Sequence, residues 1–143
     1  MTAPPCWKPR PNAGDIVDCR FPEVVGVPGP KERPALVLLV EESAEEAECC
    51  VVVVAYATSQ NTQRVYAGEF VVPASATSGL TKDTKFDLVN RHALPFNDAW
   101  FAPASKTKPP HPTRGKLNLA DYVVKRKLHA AILEAEKLRK PPT

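Results

Sequence analysis

The run Cys49-Cys50-Val51-Val52-Val53-Val54-Ala55-Tyr56-Ala57 constrains the fold more than any other stretch of the chain. Four successive valines favour an extended backbone, because β-branched side chains are stiff at χ1 and pack well on a pleated surface. Apolar residues at both parities predict a strand covered on both faces, as in a barrel or sandwich core. Thr58-Ser59-Gln60 ends the run. Hydroxyls and an amide therefore stand where the strand leaves the core, a place where a rigid scaffold presents chemistry to a ligand. The same hydroxyls also suit a plain strand end that bonds nearby backbone.

Shorter segments flank this strand. Ile16 to Phe21 places Val17, Cys19 and Phe21 on one side and Asp18 and Arg20 on the other, which predicts a strand with one wet face. Pro22 to Glu32 holds Gly26, Pro28, Gly29 and Pro30 and reads as a loop. Arg33-Pro34 opens a second strand, Ala35 to Val40, since a residue without an N–H fits a strand's beginning. Glu41 to Glu48 is rich in carboxylates and reads as a solvated connection. Gly68 to Pro73, Thr84 to Leu88 and Asn90 to Phe96 are short extended segments. Asn97 to Pro112 reads as irregular, with Trp100-Phe101 covering something apolar. Leu117, Ala120, Val124, Leu128, Ala131, Ala135 and Leu138 step by three or four residues and predict an amphipathic helix. Asn118 is its expected N-cap, Lys137, Arg139 and Lys140 suit its end, and Pro141-Pro142 stops it. Short strands followed by one helix predict a mainly β fold, a small, strongly bent sheet or barrel.

At 143 residues one domain is expected, spanning 14–140 behind a proline-rich lead-in at 1–13. A net charge of +3 permits an anionic partner without demanding one. No apolar run of membrane-spanning length occurs, and Met1 to Arg10 lacks the apolar stretch of a signal peptide. The cytoplasm is the expected location, with the four cysteines expected as free thiols. Cys49 and Cys50, being adjacent on a strand, should point to opposite faces. No C-x-x-C pair is present, and His92, His111 and His129 are scattered, so neither a metal site nor a cofactor is expected.

Gly14-Asp15-Ile16-Val17, a Gly/Pro-rich loop, Arg33-Pro34-Ala35-Leu36-Val37, Ala57-Thr58-Ser59-Gln60 and Ser78-Gly79-Leu80 occur in this order. Together they resemble the MazF/PemK family of toxins from type II toxin–antitoxin systems. The likeness runs from about residue 14 to 96, and Lys116-Leu117 and the last helix match in position. The resemblance implies an SH3-like (MazF/CcdB-like) barrel with a C-terminal helix, a homodimer and a cognate antitoxin that binds it. It also implies a growth-inhibiting endoribonuclease that cleaves single-stranded RNA without a metal, leaving a 2′,3′-cyclic phosphate and a 5′-hydroxyl. The family's arginine before proline maps onto Arg33, and its strand-terminal threonine and serine map onto Thr58 and Ser59. Two positions differ. Phe86 stands near the place where some members carry an arginine, and Pro28 where some carry an acid.

Such chemistry needs a base for the 2′-OH proton, cations or donors around the transition state, and an acid for the leaving oxygen. Arg33 suits the phosphate, because guanidinium bonds two of its oxygens at once and stays charged. Thr58 and Ser59 can donate to phosphate oxygens. Histidine is the usual acid/base side chain at physiological pH, so His92, with Asp87, is the acid/base candidate. The expected catalytic set is Arg33, Thr58, Ser59, Asp87 and His92. The expected RNA-binding set is Gln60, Arg64, Arg91 and Lys116. Tyr56, Tyr66 and Phe96 suit either base stacking or the core. The alternative is a non-catalytic barrel that binds a protein target, as the CcdB-type toxin binds DNA gyrase.

Overall fold

The computed structural model describes residues 4–43, 49–104 and 107–139. Its elements are β1 (Asp15–Cys19), β2 (Arg33–Glu41), β3 (Val51–Thr58), β4 (Glu69–Val72), β5 (Thr84–Pro95), β6 (Thr113–Lys116) and the helix α1 (Tyr122–Arg139). The six strands form one antiparallel sheet in the order β4-β5-β3-β2-β1-β6. The valine strand β3 is internal to it, between β2 and β5. The sheet is open, with β4 and β6 at its edges. The mainly β architecture with one C-terminal helix is as expected.

Alternation along β3 sorts its side chains between two cores. Val52 and Val54 join Val17, Cys19, Val37, Leu94, Phe96 and Phe101 on one face. Ala55 and Ala57 join Ile16, Leu36, Phe70, Phe86 and Leu88 on the other, beneath Val124, Ala131 and Ala135 of α1. Val51 and Val53 lie on that second face too and are half-buried. Both faces of β3 are therefore covered, which is why its sequence carries apolar residues at both parities. Phe86 is fully buried and packs on Phe70 with ring centroids 5.5 Å apart.

Two close approaches bend the sheet's edges toward one another. The connection after β4 lies against β6, where Lys116 N donates to Ser78 Oγ at 3.0 Å. A Cβ on Gly115 would run into the Ser78 carbonyl, and one on Gly79 into the Arg114 carbonyl. Gly79 also has φ +79°, a conformation that side chains strain to adopt.

The lead-in is held down. Trp7 donates its backbone N–H to Phe96 O at 3.0 Å and its indole N–H to Phe101 O at 2.9 Å. Cys6 and Cys49 form a disulfide with their Cα atoms 5.4 Å apart. This corrects the expectation of four free thiols. The partners are 43 residues apart in sequence, so only the fold brings the lead-in back to the start of β3. Cys19 and Cys50 are free.

Three element boundaries differ from expectation. The two short extended segments at Thr84 and Asn90 are one strand, β5, continuous because its register shifts beside Ala55 and Tyr56 rather than breaking. Thr113–Lys116, unassigned from sequence, pairs with β1. The helix begins at Tyr122, not after Asn118. Asp121 is its cap, accepting from Val123 N at 2.9 Å, and Leu117 is buried before the helix starts. Residues 44–48 of the acidic segment, and Lys140, Pro141 and Pro142, lie outside the described residues. Among the described residues no helix is long and apolar enough to cross a membrane.

Candidate functional site

Arg33 is the first residue of β2 and Thr58 the last of β3. The strands are antiparallel, so start and end meet at one side of the sheet. There Arg33, Thr58, Ser59 and Gln60 line a cavity of about 400 Å³ together with Lys82 and Arg114. Tyr56, Thr81 and Thr84 complete its polar wall, and among the described residues no carboxylate lines it. Thr58 Oγ1 accepts from Gln60 N at 3.1 Å. That closes the strand locally and leaves the Thr58 O–H free to donate outward. Arg33 is half-buried, and its guanidinium has no ion pair or hydrogen bond among the described residues.

The loop after Gln60 is anchored from below. Lys85 is 7% exposed, and its ammonium donates to Asn61 O at 3.1 Å and Arg64 O at 2.8 Å, with Glu69 Oε1 3.5 Å away. A buried charge needs such partners, and here the partners are the loop itself. Asn61 takes φ 54°, a left-handed conformation that asparagine tolerates better than most residues.

Arg114, on β6, had no place in the sequence-based set. Its Nη1 donates to Asp18 Oδ1 at 3.0 Å and its Nε to Gly79 O at 2.8 Å. These two bonds aim the guanidinium along the cavity wall. Burial pushes the Asp18 carboxyl above its ordinary range, and the opposing pull of Arg114 does not cancel that. Lys82 was likewise missed. Neither residue carries a local signal; one sits on a strand recognisable only by its pairing, the other in a turn.

A second cavity, of about 340 Å³, adjoins the first and shares Arg33 and Tyr56 with it. His92, Asn90, Glu23 and Phe21 line it. Phe21 meets Tyr56 and His92 edge-on, with ring centroids 5.4 and 5.1 Å apart. Glu23 thus brings a carboxylate to the far side of Arg33 from within a loop, where sequence gave it no distinction.

The remaining candidates lie elsewhere. Asp87 accepts from Val89 N at 3.0 Å and Asn90 N at 3.4 Å, so its carboxylate shapes the irregular part of β5, and it lines neither cavity. Arg64 contributes its carbonyl to Lys85, and its side chain lines neither cavity. Arg91 lines a cavity under α1. Lys116 lines one with Asn12, Asp15 and Asn118. Tyr66 is 61% exposed, and Phe96 is fully buried. Among the described residues no group of three or more His, Cys, Asp or Glu could hold a metal ion. A scan against models of protein families finds no match, and no curated protein matches this chain.

Proposed function

We propose that the chain is an endoribonuclease acting on single-stranded RNA, the toxin of a type II toxin–antitoxin pair, on a curved sheet of the SH3-like, MazF/PemK kind. The observation that carries this reading is one cavity holding Arg33, Lys82 and Arg114 with Thr58, Ser59 and Gln60 and no carboxylate. Three cations line the cavity and, among the described residues, only Arg114 is paired, with Asp18 behind it; such an excess of positive charge suits a polyanion, and hydroxyl and amide donors beside it suit phosphate oxygens.

In this reading Arg33 grips the scissile phosphate and stabilises the charge that builds on it. Thr58 and Ser59 add donors, and Lys82 and Arg114 hold flanking phosphates. Proton transfer falls to His92, with Glu23 beside it, across the wall that Arg33 shares between the cavities. A base takes the 2′-OH proton, the 2′-oxygen attacks phosphorus, and the P–O5′ bond breaks. An acid then protonates the 5′-oxygen, leaving a 2′,3′-cyclic phosphate and a 5′-hydroxyl. Phe86 stands in the core rather than at the site, so Arg114 supplies from β6 the second arginine that some family members carry there.

A homodimer and a cognate antitoxin belong to the same reading. An RNA substrate would place the protein in the cytoplasm, where reducing systems act on Cys6–Cys49. The test is incubation of the purified protein with mixed-sequence RNA in EDTA, with the ends of any fragments analysed. Fragments with cyclic phosphate and 5′-hydroxyl ends support the reading. Intact RNA transfers the case to the protein-binding alternative.

A further inference from the structure

Two arginines outside the Arg33 site line a cavity of opposite character. Between α1 and the face of β2, β3 and β5 is a space of about 540 Å³. Leu36, Leu38, Val53, Leu128 and Ile132 line its body. Leu36, Leu38, Leu128 and Ile132 belong to the core cluster under α1, so the space is a gap in that core, opening beside strand and helix ends. Arg91 and Arg139 also line it, with Glu41 the lone carboxylate in the wall among the described residues. Neither guanidinium makes an ion pair or hydrogen bond among the described residues; Arg91 is half-buried and Arg139 exposed.

A guanidinium at the mouth of an apolar space can take a charged head group, and a space of this size matches a small-molecule site, for which about 300–1,000 Å³ is usual. Both conditions are met by one ligand class. We propose that this cavity binds an anionic amphiphile, a carboxylate carried on an aliphatic body. The aliphatic part would fill the space between α1 and the sheet, and Arg91 and Arg139 would take the carboxylate, for which guanidinium has matching two-pronged geometry. Nucleic acid fits poorly here, because the wall offers aliphatic carbon where bases and sugars need donors. A protein strand or helix would need an extended surface, whereas this is a bounded space. The site meets the proposed nuclease machinery at one residue, His92, which lines both this space and the second cavity beside Arg33.

The probe is dodecanoate, kept below its micelle concentration and titrated calorimetrically into the full chain. Acetate and dodecyltrimethylammonium are the head-only and opposite-charge controls. The expected result is saturable binding of dodecanoate at one per chain, with neither control saturating. Arg91→Ala with Arg139→Ala should weaken it by about tenfold or more, as loss of a charge-assisted bond does. Ala93→Trp places a ring at an exposed position of the lining and should abolish binding while circular dichroism stays unchanged. Absence of saturation overturns the proposal. So does equal binding of the cationic amphiphile, or full affinity in the double arginine variant. A dimer that Ala93→Trp dissociates and dodecanoate leaves intact also overturns it, since the space is then an interface between copies.

Discussion

Arg33 and Thr58 stand level with each other across the β2–β3 pair. The register that joins Ala35 to Tyr56, carried two residues further, sets the first residue of one strand beside the last of the next. The phosphate-gripping cation and the strand-terminal hydroxyls of the proposed site are thus neighbours by backbone pairing. No flexible loop has to bring them together.

That placement makes Arg33 the first residue to change. Arg33→Ala should lower RNA cleavage by about two to three decades, roughly 3–4 kcal/mol of lost transition-state stabilisation. Arg33→Lys should recover little of it, because an ammonium cannot make the two-pronged contact. Neither change should unfold the protein, since the Arg33 guanidinium makes no ion pair or hydrogen bond among the described residues. Single-turnover cleavage of a defined oligonucleotide measures the loss, and parent-like rates in Arg33→Ala would remove Arg33 from the mechanism.

Arg114 and Asp18 should respond differently from each other. Arg114→Ala should weaken RNA binding and lower the salt slope of log K by about one. It also leaves Asp18 without its cation. Asp18 carries a carboxyl raised by burial, so its contribution favours the fold below its unfolded pKa and is lost as pH rises through the folded value. At pH 7 the charged form is a net burden on the fold. Asp18→Asn should therefore hold or raise stability at pH 7 and lose that advantage in acid, as denaturant titrations at pH 7 and pH 3 will show.

Cys19 predicts an alkaline transition. Burial pushes its thiol up from 9.0 to about 12. A raised thiol pKa means stability that is whole below pH 9 and lost as pH climbs toward the folded value, up to about 4 kcal/mol across three units. Comparing denaturant unfolding of the parent and Cys19→Ala between pH 7 and 11 isolates this group. Cys19→Ala should be the weaker protein at pH 7, through lost packing, with the gap closing above pH 9. A constant gap would contradict the burial argument. The same thiol should resist alkylation at pH 8 in the folded state.

The Cys6–Cys49 bond closes a loop 43 residues long, for which chain entropy suggests about 4 kcal/mol of stabilisation. Reduction, or Cys6→Ser with Cys49→Ser, should lower the unfolding midpoint accordingly. The lead-in should then become the first segment to exchange amide hydrogens, beginning with Trp7 N, whose bond to Phe96 O the disulfide braces. Midpoints unchanged by dithiothreitol would mean that the hydrogen bonds of the lead-in, those of Trp7, Pro5 and Pro9, anchor it without the disulfide.

The parts of this protein legible in its sequence are those set by neighbours along the chain. The valine run marks β3 because alternation and β-branching are local, and both of its faces are indeed covered. Pro34 marks the start of β2, and the helical stripe marks α1, though Asn118 and Asp121 are equally good caps and only packing of Leu117 into the core chose the second. Thr58, Ser59 and Gln60 stood out because they end the valine run, and Arg33 because the resemblance singles out the arginine before Pro34; the structure sets all four in one cavity wall. Arg114, Lys82 and Glu23 did not stand out. They reach the cavities through pairings between residues far apart in sequence, β6 on β1 and the Ser78-Gly79 turn on Gly115, and no local pattern encodes such a meeting. Asp87 was singled out by the resemblance and Arg91 by lying just beyond it; the register shift of β5 beside Ala55 and Tyr56, which no local pattern encodes, sets both away from the Arg33 cavity. The disulfide belongs with these, since two cysteines become a bond only where the fold sets their Cα atoms 5.4 Å apart.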